Sequence, residues 1–133
     1  MRRAVAVLLL CCPGLIGCGL NVRSPDLFLL TRVGEGQRLQ LLVNDGATIR
    51  CDGGPSKPLS DHLLIAARAL ATDLDPDAKA RLSLPASSAS VFSYTIKLQD
   101  GTISFPDTAA TRHHELSEAE LFAVQAQPEA CAR

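Results

Sequence analysis

Asp73-Leu74-Asp75-Pro76-Asp77 is one place in this chain where residue types and spacing could do chemistry. Alternating carboxylates supply hard oxygen donors in the way a calcium-binding loop begins. The rest of such a loop is missing, because Ala78 stands where a glycine is required and Leu84 where a bidentate glutamate belongs. Capping of helix ends is the expected role. His113-His114-Glu115 offers imidazoles to a metal, yet adjacent histidines point apart in regular structure and no further Cys, His or Asp completes a ligand spacing. A solvated loop is expected there, and His62 stands alone at a helix start. The sequence has no G-x-S-x-G elbow, no S-x-x-K and no environment for a catalytic cysteine. Gly53-Gly54 runs into Pro55, so it cannot cradle a phosphate on backbone amides. No catalytic residue, metal ligand or cofactor is expected, and the chain is not expected to be an enzyme.

The cysteines carry more information. Arg2-Arg3 precedes an apolar run, Ala4 to Gly17, too short to cross a bilayer that needs about 20 helical residues. That is the shape of a signal peptide. Its end, Leu15-Ile16-Gly17-Cys18, resembles the lipobox of bacterial lipoproteins, where small residues precede a cysteine that accepts diacylglycerol before cleavage. The resemblance covers this segment alone. It implies a leader over 1–17, a lipid on Cys18, and a place at the cell membrane or in the cell envelope on the extracytoplasmic side. An ordinary secretory signal is the alternative. Cys11 and Cys12 would leave with the leader and Cys18 would carry lipid, so Cys51 and Cys131 remain as an even pair. Outside the cytoplasm such a pair usually closes, the alternative being two free thiols.

Composition bounds the remainder. A chain of 133 residues with 47% apolar and 20% charged content makes one globular domain, not two. With 4% aromatics, no Trp and a formal charge of -1, neither base stacking nor phosphate attraction is available, which excludes nucleic acid as a partner. Cleavage before Cys18 would leave 11 basic and 14 acidic side chains, a charge of about -3. The expected organisation is a tether over 18–25 and a single domain over 26–133.

The elements follow from periodicity. From Leu27 to Cys51 the chain reads as a three-stranded meander with three-residue loops at Gly34-Glu35-Gly36 and Asn44-Asp45-Gly46. This pairs Val33 with Gln37, Leu29 with Leu41, Leu27 with Val43, and then Leu41 with Ile49. Leu27, Leu29, Leu39, Leu41, Val43, Ile49 and Cys51 would face inward, with Phe28, Leu30, Arg32, Arg38, Gln40, Leu42, Thr48 and Arg50 outward. After a polar breaker over 52–58, Ser60 caps a helix carrying Leu63, Ala66, Ala67, Leu70 and Leu74. Asp75-Pro76 starts a further helical turn. Phe92 to Gln99 alternates like a strand up to Asp100-Gly101, a two-residue turn that sets Leu98 opposite Ile103. Ser117-Glu118-Ala119-Glu120 has capping-box spacing for a last helix, ending near Gln127, whose tail returns Cys131 toward Cys51. The expected fold is α+β: an antiparallel sheet of about five strands in the order βββ-α-ββ-α, with helices on one face.

That order, with Thr31 to Gly36 early and Tyr94-Thr95-Ile96 before Asp100-Gly101 late, is similar to the emfourin-type inhibitors of metalloproteases. The paired-glycine N-terminal segment of that family is replaced by Val33-Gly34-Glu35-Gly36, and no inhibitory residue carries over. The resemblance implies an inhibitor of a secreted metalloprotease. The residues themselves favour a lipid-anchored binding module with a protein partner in the envelope or secreted. Arg32, Arg38 and Arg50 on the outward face are its candidate contacts, with an acidic partner surface as the natural complement. A merely solvated face is the alternative.

Overall fold

Alternating apolar residues and two glycine-containing turns build the first half of the sheet, and a second hairpin completes it. The computed structural model describes residues 22–133, so the leader over 1–17, Cys18 and residues 19–21 of the tether lie outside the described residues. The strands are β1 (Asp26–Gly34), β2 (Gln37–Asn44), β3 (Thr48–Cys51), β4 (Lys57–Pro58), β5 (Phe92–Lys97) and β6 (Thr102–Pro106). The helices are α1 (Asp61–Lys79) and α2 (His114–Cys131), the latter preceded by a 3-10 turn, Asp107–Thr111. The fold is α+β, with one antiparallel sheet in the order β4-β3-β2-β1-β5-β6. The strand beyond the expected five is β4, inside the polar breaker, where Pro58 pairs with Thr48 at the sheet edge. An edge position tolerates a residue that has no N–H to donate.

The first hairpin differs from the expected one by its turn. Gly34 pairs with Gln37, leaving a two-residue turn in which Glu35 and Gly36 both take positive φ, 52° and 70°. This primed geometry matches the twist of the flanking strands, whereas a three-residue loop would need a bulge. The consequence reaches all of β1, since a register change of one residue exchanges the two faces. Phe28, Leu30 and Arg32 lie opposite Val43, Leu41 and Leu39 and share their face. Phe28 and Leu30 are fully buried. A bulge between Asp26 and Phe28 still lets Leu27 pack against the core from the margin.

In the second hairpin the loop has the expected length but lies one residue further on. Asn44 pairs with Thr48, and Ala47 rather than Gly46 takes the left-handed conformation, at φ 59°. Ile49 and Cys51 keep their inward face opposite Val43 and Leu41. In the β5–β6 hairpin Ile96 faces Ile103 and Tyr94 faces Phe105, with a longer loop in place of the two-residue turn. A shift of two residues preserves the face, so the apolar side of this hairpin is as expected. Gly101 in that loop lies so close to α1 that a Cβ would meet the Ala78 carbonyl oxygen at 1.9 Å.

Both helices cover the same face. Helix α1 runs unbroken through Pro76 and buries Leu63, Leu64, Ala67, Leu70, Leu74 and Ala78, while Ala66, expected inward, is exposed. Ser60 stands at its N-cap as expected, but its hydroxyl makes no cap bond to the helix; the Ser60 amide (3.1 Å) and hydroxyl (2.8 Å) donate instead to Glu129 of α2. Helix α2 starts at His114, three residues before the expected cap, because Leu116 and Ala119 are already needed to seal the core. It continues through Pro128 to Cys131. Phe122 meets Phe28 edge to face at 5.4 Å, a favourable geometry for two aromatic quadrupoles.

The last residue of α2 is tied to β3. Cys51 and Cys131 form a disulfide with Cα atoms 5.3 Å apart, closing a separation of 80 residues. Both sheet edges are blunted: β4 is two residues long, and residues 82–84 run along β6, where Ser104 donates to Leu82 and accepts from Leu84. Covered or very short edges remove the template on which sheets pair between molecules.

Candidate functional site

The uncovered face of the sheet is assembled by register. One row across it reads Ser104, Thr95, Thr31 and Gln40, with a Gln40 to Thr31 side-chain hydrogen bond at 3.4 Å. A neighbouring row reads Thr102, Lys97, Leu29, Leu42 and Arg50. A third places Ser93, Val33 and Arg38 together. The face therefore has a leucine pair flanked by Lys97 and Arg50, and Val33, 49% exposed, beside Arg38. Its one acidic strand residue is Asp26, which accepts a hydrogen bond from Asn44 at 3.0 Å. Two of the three candidate arginines, Arg38 and Arg50, are exposed here.

Arg32 is not on this face. The two-residue turn puts it on the helix side, where its guanidinium donates to Gln127 Oε1 at 3.0 Å and stands 5.1 Å from the Phe92 ring centre. It joins a half-buried group of titratable side chains that the sequence did not reveal. Burial raises the Tyr94 hydroxyl above its ordinary value; the Glu120 charge adds to this and Arg32 opposes it. Burial, with the Asp107 charge behind it, pushes Glu120 up to about 7. The Glu120 Oε1 atom is sealed from water and has no hydrogen-bond partner. Asp107 is fully engaged, accepting from the amides of Val91 (3.1 Å), Phe92 (3.1 Å) and Thr108 (2.9 Å). This group can hold and release a proton near neutral pH. The group was not legible beforehand, because Arg32 reaches Tyr94 through the β1–β5 pairing, Asp107 through the β5–β6 pairing, and Glu120 through the docking of α2.

The other chemically suggestive residues are accounted for structurally. Asp73, Asp75 and Asp77 lie within α1, where alternate side chains diverge by about 200°, and Asp75 pairs with Lys79 at 2.6 Å. His113 precedes α2 and stands 3.5 Å from Glu115, whereas His114 reaches toward Glu118 at 3.8 Å. Among the described residues no group of three or more His, Cys, Asp or Glu could hold a metal ion, and no helix is long and apolar enough to cross a membrane. Cys18, the lipid-accepting candidate, lies outside the described residues. No family model, curated protein or solved structure matches the chain. The functional reading therefore rests on this chain's own residues.

Proposed function

We propose that this chain is a lipid-anchored binding module of the bacterial cell envelope. In this reading residues 1–17 are a leader, Cys18 carries the lipid, and the domain meets an envelope or secreted partner on the extracytoplasmic side. The observation that carries it is the use of the cysteines. Once Cys51 and Cys131 are joined, Cys18 is the one thiol left downstream of the leader, and it stands where a lipobox ends. A closed bridge also suits an oxidising compartment. Binding, rather than turnover, is supported by an uncovered sheet face on a frame held by that bridge, which loses little entropy when it docks.

Intact-mass spectrometry of the membrane-extracted protein, beside a Cys18→Ala variant, tests the reading. The expected mass is that of the chain from Cys18, with acyl groups added and two hydrogens removed. The variant should be uncleaved and unacylated. An unmodified native chain would overturn the proposal.

A further inference from the structure

We propose that the cleft between the β1–β2 turn and the C-terminal half of α2 binds a short peptide, with the peptide's terminal carboxylate on Arg32 and its terminal ammonium at Asp52 and Glu35. The site is separate from the uncovered sheet face and does not depend on lipidation at Cys18.

The first support is an arginine without a counter-charge. Arg32 is half-buried, and among the described residues no carboxylate lies within ion-pair distance of it. Glu120 is not its counter-charge, since an adjacent guanidinium would lower that carboxyl, which is raised instead. Neutral groups hold the head: the Gln127 side-chain carbonyl accepts from it at 3.0 Å, and the Phe92 ring centre lies 5.1 Å away. A guanidinium drawn out of water is costly unless an anion meets it, and its planar fork of donors matches a carboxylate. Arg32, Gln127 and Phe92 line one cleft of about 260 Å³, smaller than the roughly 300–1,000 Å³ of sites for drug-sized ligands. Its occupant is therefore small.

The second support is the opposite sign of charge at the rim. Glu35 and Asp52 line the same cleft and are exposed. Asp52 Oδ1 accepts from the Gln40 amide at 2.7 Å, whereas Oδ2 lies 3.6 Å from the Cys51 sulfur, which is bridged and has no proton to donate. That oxygen can take an ammonium. Strand β2 separates β1 from β3, so the backbones that carry Arg32 and Asp52 stand about 10 Å apart. This spacing is too wide for the carboxylate and α-amine of one free amino acid and suits the two ends of a short peptide. The Cys51–Cys131 bridge fixes the end of α2 against β3, so the walls are set before a ligand arrives.

The test follows backbone amide NMR signals of the purified, disulfide-intact protein during titration with dialanine. Saturable shifts are expected at the amides of Gly34 to Leu39 and of Gln127. Dialanine amide, which lacks the carboxylate, should bind about tenfold more weakly or worse, the worth of a hydrogen bond to a charged group. N-acetyl-dialanine, which lacks the ammonium, should bind roughly two- to fivefold more weakly, as an exposed ion pair allows. Arg32→Gln should erase the preference for the acid over the amide. Glu35→Gln with Asp52→Asn, which keeps an acceptor for the Gln40 amide, should erase the preference for the free amine. Should Arg32→Gln fail to fold, the three ligands on the parent protein still decide. The inference is overturned by the absence of saturable shifts in the millimolar range, or by equal binding of acid and amide. Acetate or inorganic phosphate binding as tightly as dialanine would make this a simple anion site and would also overturn it.

Discussion

Glu120 gives the most direct quantitative test of the fold. Its carboxyl is pushed up to about 7 by burial, while an unfolded glutamate titrates at 4.5. The folded state therefore holds this proton longer than the unfolded state does. Where the unfolded chain binds fewer protons, stability falls as pH rises, so this group should weaken the fold across pH 4.5 to about 7 and no further above it. The ceiling is about 1.4 kcal/mol per pH unit. One oxygen is sealed but the residue as a whole is partly open, so solvent screening reduces the total to roughly 1–2 kcal/mol. Glu120→Gln keeps the shape and removes the titration. Urea unfolding with the disulfide intact should find the variant more stable than the parent by that amount at pH 8, and little different near pH 4.5. That corresponds to a midpoint shift of about 1 M for a domain of this size. Parallel pH profiles for the two proteins would refute the reasoning, because Glu120 would then be as well solvated folded as unfolded.

Removing the bridge with Cys51→Ser and Cys131→Ser should cost up to about 4.5 kcal/mol, the loop-closure figure for the separation of 80 residues; a guanidinium midpoint that does not move would show that α2 and β3 stay together without it. Gly101→Ala forces a methyl to within 1.9 Å of the Ala78 carbonyl, so thermal unfolding should fall by several degrees, roughly 1–3 kcal/mol. An unchanged melting temperature would mean that the β5–β6 loop does not rest on α1. Glu35→Asn places a residue suited to positive φ at the first position of the β1–β2 turn, where Glu35 sits at 52°, and should stabilise by roughly 0.5–1 kcal/mol. A lower denaturation midpoint in this variant would count against the two-residue geometry.

The parts legible in the sequence are those set by local pattern. The apolar alternation of Leu39, Leu41 and Val43, and of Tyr94, Ile96 and Phe105, identifies strands and inward faces that the structure retains. Cys51 and Cys131, the pair left over by the cysteine count, are bridged as expected. The face of β1 was not legible, since Leu27 to Leu30 is apolar at four consecutive positions and only the turn decides between the two phases. The two-residue turn asks Glu35 to adopt a positive φ that glutamate disfavours. The same ambiguity placed Arg32 on the wrong side and hid its contact with Gln127. Lys97 reads as outward from its own strand, but its place beside Leu29 depends on β5 joining β1 across the 57 residues that separate the two strands, which no local signal encodes.

Because β1 is hydrogen-bonded to β2 on one side and to β5 on the other, it is also where mechanical load would enter the domain. A partner pulling the domain against an anchor at the N-terminus would draw β1 lengthwise between its neighbours. The backbone hydrogen bonds of both ladders would then be strained together in shear, instead of opening one after another as they do when an edge strand is peeled. A module held on a growing or flexing envelope would resist extraction in the direction in which it is tethered.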